Sequence, residues 1–134
     1  MATVSLTDST LFRQQCYIDG QWCDADDGAT FAVDNPASGE GIGTSPRMGE
    51  AETRRAIDAA HQAFPGWRDK TAAERANLLM AWHDLMMEHQ EDLGRLMTLE
   101  QGKPLPEAKG EIAYSASFLT VSYTHLRAHE TSGY

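Results

Sequence analysis

A chain of 134 residues is one domain's worth at most. Its 11 basic against 20 acidic residues leave a net charge of −9. That argues against nucleic acid or an anionic membrane as partner, because phosphate binding needs clustered Lys and Arg. No apolar run approaches the roughly 20 residues of a membrane-spanning helix. The chain does not open on a basic region followed by an apolar core, so no export signal is visible. Two cysteines without such a signal make the reducing cytoplasm the expected compartment. No repeat or low-complexity run stands out.

Residues 1–10 are polar and are expected to be disordered. Cys16-Tyr-Ile-Asp-Gly-Gln-Trp-Cys23 predicts a hairpin. Asp19-Gly20 is the pair that a two-residue type I′ loop requires, and it sets Tyr17 opposite Trp22 and Cys16 opposite Cys23. Asp24–Gly28 is a turn, 30–34 a strand, Asn35–Gly39 a second turn and 41–45 the returning strand. The first third therefore predicts one small antiparallel sheet. A helix is expected over 50–64, with Ala56, Ala60, Ala63 and Phe64 on one side and acids Glu50 and Glu52 in its first turn. Pro65-Gly66 is expected to end it.

Thr71-Ala-Ala-Glu74 matches a capping box, so a second helix begins near Ala72. Leu78, Trp82, Leu85 and His89 form its apolar stripe, with Leu79 and Met86 beside it. After a break near His89-Gln90, Leu93, Leu96, Met97 and Leu99 give a third helix its apolar side. Gly102 suits the left-handed residue that closes that helix, and Pro104 suits the next first turn. A fourth helix follows, with Ala108, Ile112, Ser115 and Leu119 at helical spacing.

Several residues carry possible chemistry. Cys16 and Cys23 are the only thiols; a strand cysteine is usually a small apolar filler, and a cross-strand disulfide is geometrically conceivable although a reducing cytoplasm disfavours it. Gly39, Gly41 and Gly43 lack the dinucleotide fingerprint's spacing and are read as a turn with a flexible returning strand. His61, His83 and His89 have no metal-ligand spacing. Glu100 and Glu107 flank the Gly102-Lys103-Pro104 turn, and nothing in the sequence buries one of them as acid–base chemistry would need. Trp22, Trp67, Trp82 and the Met86-Met87 pair are read as hairpin and core packing.

The stretch Leu96-Met-Thr-Leu-Glu-Gln-Gly-Lys-Pro-Leu-Pro-Glu-Ala-Lys-Gly-Glu-Ile112, followed by Tyr114 and Phe118, resembles the N-terminal region of the aldehyde dehydrogenase superfamily, which carries a Leu-Glu-x-Gly-Lys-Pro turn. With Leu11–Gln15, Ile18–Trp22, Asp34–Glu40 and Met86–Leu105, the wording is similar to the bacterial NAD(P)-dependent succinate-semialdehyde dehydrogenases, over about Leu11 to Leu119. The resemblance implies an α/β fold, of which residues 11–119 hold an N-terminal β-hairpin region and about four helices of the cofactor-binding domain. It implies oxidation of succinate semialdehyde to succinate, in 4-aminobutyrate degradation, with NAD or NADP as cofactor and a homo-oligomeric enzyme. The chemistry implied is attack by a cysteine thiolate, oxyanion stabilisation, hydride transfer and water activation by a glutamate. All of those catalytic and cofactor-binding residues are expected downstream of Leu119, so this chain by itself is expected to be inactive and to bind no cofactor.

The resemblance further places Tyr114 and Phe118 on the helix bordering the substrate tunnel, with core packing as the alternative. It also sets Glu100, with backbone carbonyls near Val33, at a structural monovalent cation. After Leu119 the family pattern stops. Val121-Ser-Tyr-Thr-His-Leu-Arg-Ala-His-Glu-Thr131 is the in-frame translation of a transposase adapter used in short-read DNA sequencing, so 120–134 is expected to be non-native and His125 and His129 are set aside as ligands. Two other readings stay open: another aldehyde dehydrogenase of the superfamily, or a non-catalytic acidic helical interaction module.

Overall fold

The computed structural model describes residues 4–131, with side chains to residue 126. Strands β1 (Cys16–Ile18), β2 (Gln21–Cys23), β3 (Thr30–Asp34) and β4 (Gly41–Pro46) precede helices α1 (Glu50–Arg68), α2 (Ala72–Glu88), α3 (Gln90–Gln101) and α4 (Leu105–Thr131). The fold is the hairpin region and four helices that the sequence predicts. The residues group into two compact units, 1–65 with 99–102, and 66–98 with 103–134.

In the first unit the strands make two separate two-stranded antiparallel sheets, β1–β2 and β3–β4, where one sheet was expected. The β1–β2 register is the predicted one, Cys16 opposite Cys23 and Tyr17 opposite Trp22. Asp19 and Gly20 both have positive φ, 51° and 76°, as the type I′ turn requires. The Tyr17 and Trp22 rings lie 5.2 Å apart, and the Arg13 guanidinium stacks 5.0 Å over Trp22.

In β3–β4 the register slips between Val33 and Asp34. Asn35 closes the turn, its side chain accepting from Ala37 N–H at 2.9 Å and its carbonyl from Gly39 N–H at 2.7 Å. Ahead of the sheets, Asp8 caps a 3-10 turn over Ser9–Leu11 by accepting from Thr10 N–H at 2.9 Å. Of the expected disordered lead-in, residues 1–3 lie outside the described residues.

Glu52 anchors the start of α1. It is buried, and its carboxylate accepts from Asp26 N–H at 3.1 Å and Gly49 N–H at 3.0 Å. Those backbone donors, Asp26 first, hold its pKa below the ordinary carboxylate value. Arg55 then forks onto Asp26 with two bonds of 2.7 Å. Ala56, Ala59, Ala60 and Ala63 line a groove with the hairpin tip Tyr17–Gly20. Contrary to expectation, α1 continues through Pro65. The carbonyl that Pro65 leaves without its helical donor is that of His61, itself an exposed residue, so the helix tolerates the break.

In the second unit Thr71 opens α2 with the predicted capping box. Its hydroxyl accepts from Glu74 N–H at 3.2 Å and its own N–H donates to Glu74 Oε2 at 2.8 Å. The buried apolar residues of this unit are three alanines, Ala76, Ala108 and Ala116, with Ile112. Gly94 lies where a Cβ would meet Lys109 Cγ at 2.8 Å, so α3 and α4 cross closely. Gln90 donates to the Lys109 carbonyl at 2.9 Å, and Lys109 pairs with Glu91 at 2.5 Å.

Two predicted faces are corrected. On α4, Ser115 is exposed and Ala116 is buried in its place, a full i+4 step from Ile112. On α2, the stripe Leu78, Trp82 and Leu85 is not core: these side chains are 50%, 58% and 54% exposed. The helix packs through its Ala76 side instead, because only small residues allow α2 and α4 to approach closely.

Candidate functional site

A cavity of about 200 Å³ in the first unit is lined by Phe12, Arg13, Phe31, Val33, Gly43, Thr44, Ser45 and Glu100. Three stretches distant in sequence meet there: the lead-in to the hairpin, the β3–β4 sheet and the end of α3. Val33 sits in β3 opposite Gly43 of β4, and Glu100 comes from the last turn of α3. The turn that follows is fixed by Gly102, whose φ is +76° and whose absent Cβ leaves room for Pro36 Cγ 3.1 Å from where it would stand.

Gly43 is the pivot of the cavity wall. A Cβ there would meet Gln14 Oε1 at 2.6 Å and Phe12 Cζ at 2.9 Å. The glycine is therefore present for close approach rather than flexibility. Gln14 is held in place because its Oε1 accepts from Thr44 N–H at 2.8 Å and Thr44 Oγ1 at 3.4 Å.

Val33 and Glu100, the two residues placed together by family resemblance, thus line one cavity. Its wall offers one carboxylate, the Arg13 guanidinium and hydroxyls at Thr44 and Ser45. Among the described residues no group of three His, Cys, Asp or Glu side chains stands together to hold a metal.

Tyr114 and Phe118 form a second pair, one turn apart on α4. Their rings meet edge to face with centroids 4.9 Å apart. Neither is in the core: they are 62% and 55% exposed, while the buried side of α4 carries Ala108, Ile112 and Ala116. His61, His83 and His89 come into no metal-ligating group. His83 contacts Asp84 at 2.9 Å, and His89 caps α2 through its backbone. The His129 side chain lies outside the described residues.

Sequence reasoning missed Gln14 and gave Glu52 only a dipole role. Glu52 had a legible signal, since it stands three residues after Gly49 at capping-box spacing. Gln14 had none, because its partner Thr44 lies 30 residues away.

Residues 22–133, well over half of the chain, match the aldehyde dehydrogenase family. The chain belongs to that family. It is similar, at 66% identity over 116 residues, to the glutarate-semialdehyde dehydrogenase of Pseudomonas aeruginosa, covering 87% of this chain and 24% of that protein. At 61% identity and the same coverage it is similar to the succinate-semialdehyde dehydrogenase [NADP(+)] of Escherichia coli K12. A solved structure of an E. coli NADP dependent enzyme superposes with a TM-score of 0.85 at 62% identity, over 86% of this chain and 24% of that one. The chain therefore spans about a quarter of the length of the relatives it matches. Among the described residues no helix is long and apolar enough to cross a membrane.

Proposed function

We propose that residues 11–119 are the N-terminal part of an NAD(P)-dependent aldehyde dehydrogenase that oxidises a short semialdehyde ending in a carboxylate, with succinate semialdehyde as the substrate of first choice. The observation that carries this reading is the similarity, above 60% identity, to two dehydrogenases named for succinate and glutarate semialdehyde. Those two aldehydes differ by one methylene, which an apolar pocket separates by only about 1–3 kcal/mol. Glutarate semialdehyde is accordingly the nearest competitor.

In this reading the whole enzyme is a cytoplasmic homo-oligomer, and its nucleophile, oxyanion donors and general base lie beyond Leu119. The nicotinamide cofactor supplies the hydride acceptor there. The glycine cluster 39, 41 and 43 offers it no cradle: Gly39 closes a turn, Gly41 pairs with Asp34, and the space beside Gly43 is filled by Gln14 and Phe12. The chain's own contribution is a scaffold. Tyr114 and Phe118 present an aromatic ledge along the substrate tunnel, and Glu100 with the Val33 region holds a structural monovalent cation.

Residues 120–134 are a non-native tail in the same reading, on the strength of the adapter-identical string at 121–131, although the family match runs through it. The test begins with resequencing the source DNA across codons 110–130. A frame running on without the string into a cofactor domain and a cysteine motif supports the proposal; a genomic string with the frame ending at Tyr134 refutes it. The enzyme encoded by the continued frame is then assayed with both semialdehydes and both cofactors, with a higher kcat/KM expected for succinate semialdehyde. The 134-residue chain is expected to reduce no NAD(P)+. Turnover clearly above a heat-killed control overturns the assignment of catalysis to the missing part.

A further inference from the structure

The β1–β2 hairpin places the only two thiols of the chain directly opposite each other, Cys16 across from Cys23. Directly opposed strand residues have Cα atoms about 4.5–5.5 Å apart, inside the range of about 4.4–6.8 Å that a disulfide accepts. Opposed residues also project to the same face. The register is doubly specified. Asp19 and Gly20 lock the turn, and the Tyr17–Trp22 ring contact occupies the opposite face, so a slip by one residue would break both. The Cys23 sulfur already leans across the ladder, lying 3.4 Å from the Cys16 carbonyl oxygen.

Access is unequal. Cys23 lines an open pocket of about 430 Å³ together with Asp19, Arg55 and Asp58, whereas Cys16 is not part of that lining, so the Cys23 sulfur is the one a thiol reagent reaches from solvent. Both cysteines are half-buried free thiols.

We propose that Cys16 and Cys23 are a reactive dithiol that closes to a cross-strand disulfide by exchange with a low-molecular-weight disulfide, Cys23 attacking first. With oxidised glutathione, the Cys23 thiolate attacks one sulfur, forming a mixed disulfide and expelling one glutathione thiolate. The Cys16 thiolate then attacks the Cys23 sulfur and expels the second glutathione. Two protein thiols lose two protons and two electrons, and one oxidised glutathione becomes two reduced ones. This site stands apart from the substrate and cofactor assignments above.

The test equilibrates the 134-residue chain in glutathione redox buffers with and without concentrated urea, quenches with acid and weighs the tryptic peptide 14–47, which holds both cysteines. Closure removes two hydrogens from it. Pre-alignment by the hairpin is expected to raise the closure constant about tenfold or more over its value in urea, where only loop closure acts. Equal constants, or a peptide carrying two glutathiones, overturn the proposal. As a second readout, the Cys16→Ser chain is expected to gain its glutathione adduct several-fold faster than the Cys23→Ser chain. Equal rates or the reverse order overturn the assignment of Cys23 as the attacking thiol.

Discussion

Trp82 offers a direct test of whether the α2 stripe is a covered face in the whole enzyme. It is 58% exposed, between Leu78 and Leu85 at 50% and 54%. With about 150–250 Å² for an aromatic side chain, that exposure leaves on the order of 90–150 Å² in water. At about 25 cal/mol per Å², covering it is worth about 2–4 kcal/mol. The perturbation is Trp82→Ala, made once in the 134-residue chain and once in the enzyme encoded by the continued frame. In the short chain, alanine keeps or slightly raises helix content by far-UV circular dichroism, since it is the best helix former. It also lowers binding of a hydrophobic dye and raises the soluble fraction, because an apolar patch shrinks. In the long enzyme the same change costs about 2–4 kcal/mol, read from the urea midpoint at unchanged slope. A cost within about 0.5 kcal/mol there, the range of an ordinary surface substitution, refutes the reasoning.

In that same long enzyme, Gly43→Ala is expected to destabilise by about 1–3 kcal/mol. The new methyl displaces Gln14 from Thr44 and crowds Phe12, and together these outweigh the few tenths to 1 kcal/mol that alanine gains by restricting the unfolded chain. Urea unfolding reads it, and a neutral result would show that the lead-in segment swings away freely. Thr71→Ala removes the hydroxyl arm of the α2 capping box and should cost about 1 kcal/mol, read as faster amide exchange at Ala72–Glu74; unchanged exchange counts against the cap. Acid should loosen both units. Asp26 is held below its ordinary value by the Arg55 bond, Glu74 by the Thr71 backbone, Glu91 by Lys109, and Glu52 by the Asp26 backbone. A carboxyl with a lowered folded pKa stabilises fully above its unfolded value near 4, and that stabilisation fades as pH falls through the folded value. Helical signal and tryptophan emission followed from pH 7 to 2 should therefore hold level to about pH 4.5 and fall below it; loss beginning above pH 6 would require other groups.

Local rules carried most of the fold. Asp19-Gly20 dictated a turn and with it a register, Thr71 and Glu74 marked a helix start to the residue, and Gly102 marked a helix end, because each acts through neighbours in sequence. The failures share a cause. The periodicity of Leu78, Trp82 and Leu85 reports that the face is apolar, and periodicity is silent on which partner covers it. Pro65 predicts a stop, yet a single missing donor on a solvent-facing turn is a cost that a 19-residue helix absorbs. Of the candidate site, the pairing of Val33 with Glu100 came through family wording. Gln14 left no trace, since its bond to Thr44 spans 30 residues with no motif.

The distribution of side-chain sizes ties these points together. The buried apolar residues are Ala25, Ile42, Ala76, Ala108, Ile112 and Ala116, and no large side chain among the described residues is fully buried. Alanine contacts bring backbones close and set crossing geometry, but each removes little apolar area from water. The large apolar groups, Leu78, Trp82, Leu85, Tyr114 and Phe118, point outward instead. Small residues inside and large ones outside is the inverse of a self-sufficient domain, in which aromatic and branched side chains dominate the core. It is the pattern of a layer whose shape is specified internally and whose stability comes from what it covers. The sharpest consequence is thermal. The 134-residue chain should melt over a broad range without a single cooperative step in scanning calorimetry, and a sharp transition in a monomer would show that alanine-lined contacts alone suffice to hold it.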